Sequence, residues 1–176
     1  MKICFAVCEY NPFHNGHLKH IEYIKEFIRP DVLAVILSGN FTQRGEIAVL
    51  DKYTRAKHAV LAGADVVFEL PTVFATGNAE IFAKGAVKLA SAFLGEHVLC
   101  FGTESGTKDS LLVTANLLIN ETKEFKTLYK NHLKSGVTTI KAKVSALEEL
   151  QIENLDCELL KRPNNILGIE YLKRLL

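Results

Sequence analysis

Two kinds of apolar pattern alternate along this chain. Ile3 to Cys8 is a compact apolar run without helical spacing, which predicts a buried strand. From His17 the pattern changes: Leu18, Ile21, Ile24, Phe27 and Ile28 recur at helical intervals, with Lys19, Glu22, Lys25 and Glu26 between them. Pro30-Asp31 ends that helix. Val32 to Leu37 reads as a second buried strand, closed by the turn Ser38-Gly39-Asn40. Asp51 is a good N-cap for a helix through Ala62, with Gly63 past its end. Asp65 to Leu70 predicts a third strand stopped by Pro71, Ala79 to Phe93 a helix, and Val98 to Phe101 a fourth strand. Strand and helix alternating with short connections imply an α/β fold, a doubly wound parallel sheet with helices on both faces.

After Gly106 no strong strand pattern remains. Residues 109–134, 138–150 and 163–176 all read as helical, so we divide the chain into a core over 1–106 and a helical extension over 107–176 that packs on it. Arg162-Pro163-Asn164-Asn165 gives a turn and N-cap signal before a helix from Ile166 to Leu176. That helix stays periodic to the last residue without a stop signal, which leads us to expect the N-terminal part of a longer protein.

Composition narrows the class. With 48% hydrophobic and 23% charged residues the chain reads as globular, and no apolar stretch approaches the roughly 20 residues of a membrane span, so a cytoplasmic protein is expected. A net charge of +1 predicts no polyanion-coating surface, so any nucleic-acid contact must be local. Cys4, Cys8, Cys100 and Cys157 lack metal-ligand spacing and read as reduced core thiols. No metal site is expected in the protein itself.

Ligands of open α/β sheets sit beyond the carboxyl ends of the strands, beside the switch in strand order. The unusual polar residues fall there: Glu9-Tyr10-Asn11-Pro12-Phe13-His14-Asn15-Gly16-His17 after the first strand, and Ser38-Gly39-Asn40-Phe41-Thr42-Gln43-Arg44-Gly45 after the second. Glu69-Leu70-Pro71 follows the third, and Phe101-Gly102-Thr103-Glu104 the fourth. His14-x-Gly16-His17 opens a helix whose first-turn N–H groups and dipole suit a phosphate, and Gly16 lets backbone approach a ligand. Two imidazoles three residues apart can donate to phosphate oxygens as charge shifts onto them. A plain capping role for His14 with a half-buried His17 is the structural alternative. A zinc pair lacks further ligands nearby.

These segments, with Asp51-Lys-Tyr-Thr-Arg-Ala-Lys57 and Asn164-Asn-Ile-Leu-Gly168, closely resemble the bacterial tRNA(Met) cytidine acetate ligase family from residue 2 to the end of the chain. The resemblance implies a Rossmann-like HIGH nucleotidyltransferase fold. It further implies activation of acetate by ATP to acetyl-adenylate, then acetylation of N4 of the wobble cytidine in elongator tRNA(Met). Carried over, the ATP segment falls on Val7, Cys8, Glu9, Tyr10, Asn11, Pro12, Phe13, His14, Asn15, Gly16, His17 and on to His20, with His14 and His17 at the triphosphate. Gly102 and either Asn164 or Asn165 complete that set, and Mg2+ would accompany the triphosphate. A further arginine and a tRNA-binding portion of that family fall past Leu176. The implied nucleic acid is tRNA, not DNA.

The remaining loop residues rest on their chemistry. Arg44, in a glycine-flanked loop, suits a catalytic phosphate contact. Asn40, Gln43, Lys52, Arg55, Glu69 and Glu104 are substrate-binding candidates. For Arg55 and Lys57, inside a helix, solvated surface charge is the rival reading, and Glu69 could merely close a turn. Lys161-Arg162 and Lys173-Arg174 are candidate RNA-facing charges. Two other functions fit the same first loop: adenylyl transfer to a small phosphorylated metabolite, and a non-catalytic ATP- or tRNA-binding module.

Overall fold

A computed structural model describes residues 1–152 and 155–176 as two compact units, Met1–Gly102 and Thr103–Leu176. The boundary lies a few residues before the one expected at 106. The reason is local: Glu104 and Ser105 hydrogen-bond to Asn165, so the segment after Gly102 belongs with the helices.

In the first unit four strands, β1 (Lys2–Cys8), β2 (Val32–Ser38), β3 (Val66–Leu70) and β4 (Glu96–Cys100), form one parallel sheet in the order β3-β2-β1-β4. The chain steps outward from β1 to β3, then returns to the far side of β1. The switch in strand order therefore lies between β1 and β4. The helices are α1 (Asn15–Tyr23), continued by a π-helical turn Ile24–Ile28, α2 (Lys52–Ala62), the short α3 (Thr72–Ala75) and α4 (Ala79–Ala90).

Alternation along the strands builds a core on each face. Cys4 and Ala6 of β1 and Leu33, Val35 and Leu37 of β2 pack against Ile21 and Ile24 of the first helix and Ala59 of α2. On the opposite face Phe93 packs against Phe5 and Phe68 at ring separations of 5.6 and 4.9 Å. Both ends of α2 form where expected: Asp51 accepts from the N–H groups of Tyr53 and Thr54, and Gly63 takes the left-handed turn at φ 114°.

Several boundaries move for identifiable reasons. The first helix begins at Asn15, ahead of the apolar period that starts after His17, because His14 is its cap. Asp65 lies outside β3, its carboxylate accepting the Leu33 N–H at 2.8 Å. The fourth strand is Glu96–Cys100, starting earlier than its apolar run.

The second unit is helical, as expected, with α5 (Lys108–Ile119), α6 (Lys123–Lys134), α7 (Thr139–Glu149) and α8 (Pro163–Leu175), plus a 3-10 turn Cys157–Lys161. The single helix expected over 109–134 is two helices. Thr122 caps the second by accepting the Phe125 N–H, and α8 starts at Pro163 in its first turn. Leu111, Ala115 and Leu118 of α5, Phe125 of α6, Val144 and Leu147 of α7 and Ile169 of α8 are buried within this unit. Among the described residues no helix is long and apolar enough to cross a membrane.

Candidate active site

The carboxyl edge of the sheet is organised around α1. His14 caps the helix through Nδ1, which accepts the Gly16 N–H at 3.1 Å, and His17 Nδ1 accepts the His14 N–H at 3.3 Å. The two residues thus form a reciprocal capping box made of imidazoles. Their rings stack at 3.7 Å, tilted by 20°. With each Nδ1 used as an acceptor, the neutral rings carry their protons on Nε2. Burial, with His14 and His20 nearby, lowers the His17 pKa to about 4, so it is a neutral donor at physiological pH. Tyr10, 1% exposed and left-handed at φ 48°, supports this pair from beneath, with its ring 4.7 Å from His17 and 4.9 Å from Phe13.

The capping role weighed for His14 is therefore realised, and it engages Nδ1 of each ring, not Nε2. The capping box also changes which groups are available. Gly16 N–H is taken by His14, and His17 N–H bonds the His14 carbonyl at 2.9 Å. Of the first-turn amides only Asn15 N–H keeps its donor capacity, so a phosphate would be met chiefly by the two Nε2–H groups. Gly16 also has a different reason from the one expected. A Cβ there would lie 2.9 Å from His14 Cε1, so the glycine makes room for the imidazole. Gly16→Ala is expected to push the His14 ring aside and weaken ATP binding several-fold, which isothermal titration would measure; unchanged affinity would remove His14 from the site.

Most other side chains of the first loop brace its neighbours. Glu9 Oε1 accepts the Gln43 N–H at 2.5 Å, and Asn11 Oδ1 accepts the Val49 N–H at 2.7 Å. They tie the loop after β1 to a small hairpin over 40–48, closed by Ala48 N–H to the Asn40 carbonyl, and to Val49 just past it. Arg44 stands exposed on the hairpin's turn, and Asn40 is exposed at its base. Val7 and Cys8 are strand residues paired with Ile36 and Leu37, Pro12 is exposed after a cis peptide bond, and Gly102 is exposed at the end of this unit.

Arg55 corrects both sequence readings. It is 1% exposed, so it is no solvated charge, and four of its five N–H donors go to backbone carbonyls, so it braces the loops instead of contacting substrate. Nε donates to the Leu50 carbonyl at 2.9 Å, Nη1 to the carbonyls of Glu9 at 2.6 Å and Ser38 at 3.0 Å, and Nη2 to that of Gly39. One guanidinium fork thereby holds the ends of β1 and β2 and the approach to α2. Beside it Lys52 and Glu69 form an ion pair of 2.6 Å, which brings those two candidates together.

His20 is committed elsewhere: its Nε2 lies 3.2 Å from Cys100 Sγ. Hydrogen bonding from Cys4 and His20 holds the Cys100 thiol below the usual thiol range, and Cys100 and Cys8 raise the His20 imidazole above its own. The expectation of reduced core thiols holds fully for Cys4, while Cys8, Cys100 and Cys157 are free but only half-buried. At roughly pH 6.5, two units below an ordinary thiol, iodoacetamide should still alkylate Cys100 ahead of Cys4 and Cys157. Peptide mass mapping would show it, and uniform labelling would refute the thiolate. Spacing alone could not reveal this pair, since the partners are 80 positions apart.

In the second unit Glu104 and Asn165 clamp each other. Glu104 carboxylate oxygens accept the N–H groups of Asn164 and Asn165 at 3.2 and 3.1 Å, a favourable place for a carboxylate at a helix N-terminus. Asn165 Oδ1 accepts the N–H groups of Glu104 and Ser105, and its Nδ2 donates to Ser105 Oγ at 2.9 Å. Asn165 is fully buried and Glu104 is a helix anchor, so both side chains act within the unit; Asn164 is the exposed member of the asparagine pair. Among the described residues no cluster of three or more His, Cys, Asp or Glu could hold a metal ion.

Comparisons with known proteins fit this geometry. The HIGH Nucleotidyl Transferase family matches residues 1–176. A tRNA(Met) cytidine acetate ligase of Thermoanaerobacter sp. (strain X514) is 45% identical over 99% of this chain and 44% of the relative. One from Clostridium botulinum (strain Loch Maree / Type A3) is 44% identical over the whole of this chain and 44% of its own length. The crystal structure of Thermotoga maritima TmcAL bound with alpha-thio ATP superposes with a TM-score of 0.90 at 40% identity, covering 98% of this chain and 43% of that one. This chain thus spans less than half the length of the relatives it matches. With its parallel sheet, its strand-order switch beside β1 and its paired histidines opening α1, this chain belongs to the HIGH nucleotidyl transferase family.

Proposed function

We propose that this chain carries the ATP-activating site of a tRNA(Met) cytidine acetate ligase. The observation that carries the reading is the stacked His14–His17 pair, which presents two neutral Nε2–H donors at the N-terminus of α1 beside the strand-order switch. Support comes from the 44–45% identity to ligases of that name and from a neighbour solved with an ATP analogue.

ATP, entering as its magnesium complex with the metal part of the substrate, lies over the first turn of α1. An acetate oxygen attacks the α-phosphorus, the bond to the β-phosphate bridge oxygen breaks, and pyrophosphate leaves with the electron pair. His14 and His17 donate to its oxygens as charge accumulates there, a stabilisation that needs no covalent step. Arg44, exposed on the neighbouring hairpin, adds a guanidinium to the same phosphates. The cytidine N4 amine of elongator tRNA(Met) then attacks the acetyl carbon, AMP departs with the bonding pair, and the amine loses a proton. An enzyme with these substrates works in the cytoplasm.

The test is exchange of labelled pyrophosphate into ATP with and without acetate. Acetate-dependent exchange is the expected result. Exchange that ignores acetate but responds to a phosphorylated acceptor would replace this reading with adenylyl transfer to a small metabolite.

A further inference from the structure

We propose that the cavity at the carboxyl ends of β2 and β3 is a cytosine-reading pocket, with Glu69 and Lys52 on the polar edge of the base and Tyr53 on its face. This inference rests on the ligase reading above and assigns a place to the acceptor base. The cavity measures about 160 Å³. That is close to the roughly 150 Å³ of an engineered protein cavity that admits benzene, so one six-membered ring fits. Its floor is apolar, made by Leu37, Ala56 and Val67, and its polar groups are few and convergent, the pattern of a small-molecule site.

The polar groups select the base. Cytosine presents its exocyclic amine as a donor next to the N3 and O2 acceptors, whereas uracil presents an oxygen, an N–H and an oxygen. Glu69 carboxylate and Lys52 ammonium, held 2.6 Å apart, display an acceptor beside a donor and so complement the cytosine edge. In the pose that seats N4 on the carboxylate, uracil would set its O4 there, a repulsive contact that discriminates. Ser38 lines the same cavity. The residue is 1% exposed and its buried hydroxyl has no hydrogen-bond partner, where buried polar groups almost always have one. A base oxygen or ring nitrogen would supply it. Tyr53 is among the residues lining the cavity and is 77% exposed, with the Lys52 ammonium 5.5 Å from its ring centroid. Exposed aromatics of this kind serve as stacking platforms for single bases.

The pocket is rigid and close to the ATP loop. Arg55 holds the Ser38 and Gly39 carbonyls together with that of Glu9 in the loop after β1. Gly39 abuts the Glu69 carboxylate so closely that a Cβ there would overlap it. Since β2 neighbours β1, the pocket lies within about two strand spacings, roughly 10 Å, of the end of β1.

Titration of the isotopically labelled chain with cytidine and with uridine, followed by amide NMR, tests the proposal. Cytidine should shift the amides of Ser38, Gly39, Tyr53 and Glu69 saturably, and uridine should bind about tenfold to a hundredfold more weakly. Glu69→Gln, whose amide offers an acceptor and a donor alike, should erase that preference; a merely structural role would leave it in place. Tyr53→Ala should weaken both nucleosides alike, and each variant's spectrum reports whether it is folded. Equal affinity for the two nucleosides, shifts elsewhere, or no saturable binding would overturn the pocket. Pyrophosphate exchange in the unmodified chain separates the two readings: exchange without cytidine binding removes the pocket alone, and cytidine binding without exchange removes the activation step alone.

Discussion

His17→Ala is expected to reduce acetate-dependent pyrophosphate exchange by roughly 100- to 1000-fold, the effect of losing one placed donor to a developing anion. The substitution removes the Nε2–H donor, the acceptor of the His14 N–H and the ring stacked on His14. A companion variant separates these losses. Glutamine at the third position of a helix can accept the cap N–H as in an ordinary capping box, so His17→Gln should restore the helix start without restoring exchange. Equal exchange in His17→Gln and the parent would remove His17 from the chemistry. The pH dependence has a definite sign. Unfolded, His17 titrates near 6.5; folded, at about 4. Between these values the unfolded chain binds more protons, so this residue makes stability rise with pH over that interval. His17 itself stays neutral above it, so its own titration should be absent from the exchange profile near the ordinary histidine value.

Arg55→Met should destabilise the first unit by about 3–5 kcal/mol, the cost of breaking a buried charged network by removing one side of it. Four carbonyls, those of Glu9, Ser38, Gly39 and Leu50, lose their donor at once. Individual unsatisfied buried acceptors cost about 1–3 kcal/mol, but those nearest the surface recover water, which keeps the total below the simple sum. Arg55→Lys should recover only part of the loss, because an ammonium cannot span acceptors set for a planar fork. Thermal unfolding measures both, with a fall of more than about 10 °C expected for methionine. A fall within a few degrees of zero would mean that the carbonyls find other partners.

Much of this architecture was legible because it follows local periodicity. The apolar runs Ile3–Cys8 and Val32–Leu37, and the cap residues Asp51 and Gly63, each carry their signal within a few positions. The histidine motif was legible for the same reason, although its capping box displaced the backbone amides from the role first expected of them. What escaped depends on long-range meetings. Arg55 looks like any helical arginine until the loops after β1 and β2 bring carbonyls to it. Glu104 and Asn165 are 61 positions apart, and nothing local announces that their side chains face each other. The break between α5 and α6 did leave a trace in Asn120-Glu121-Thr122, which the continuing helical period on both sides concealed.

The single fork at Arg55 also bears on how this edge of the protein loosens. Loops held by separate contacts open separately, each with its own free energy. Here the segments at Glu9, at Ser38 and Gly39, and at Leu50 share one anchor, so freeing any of them exposes a buried guanidinium and strands the rest. Their amides should therefore exchange with deuterium as one cooperative group, and a nucleotide seated on the first loop would slow exchange in the second.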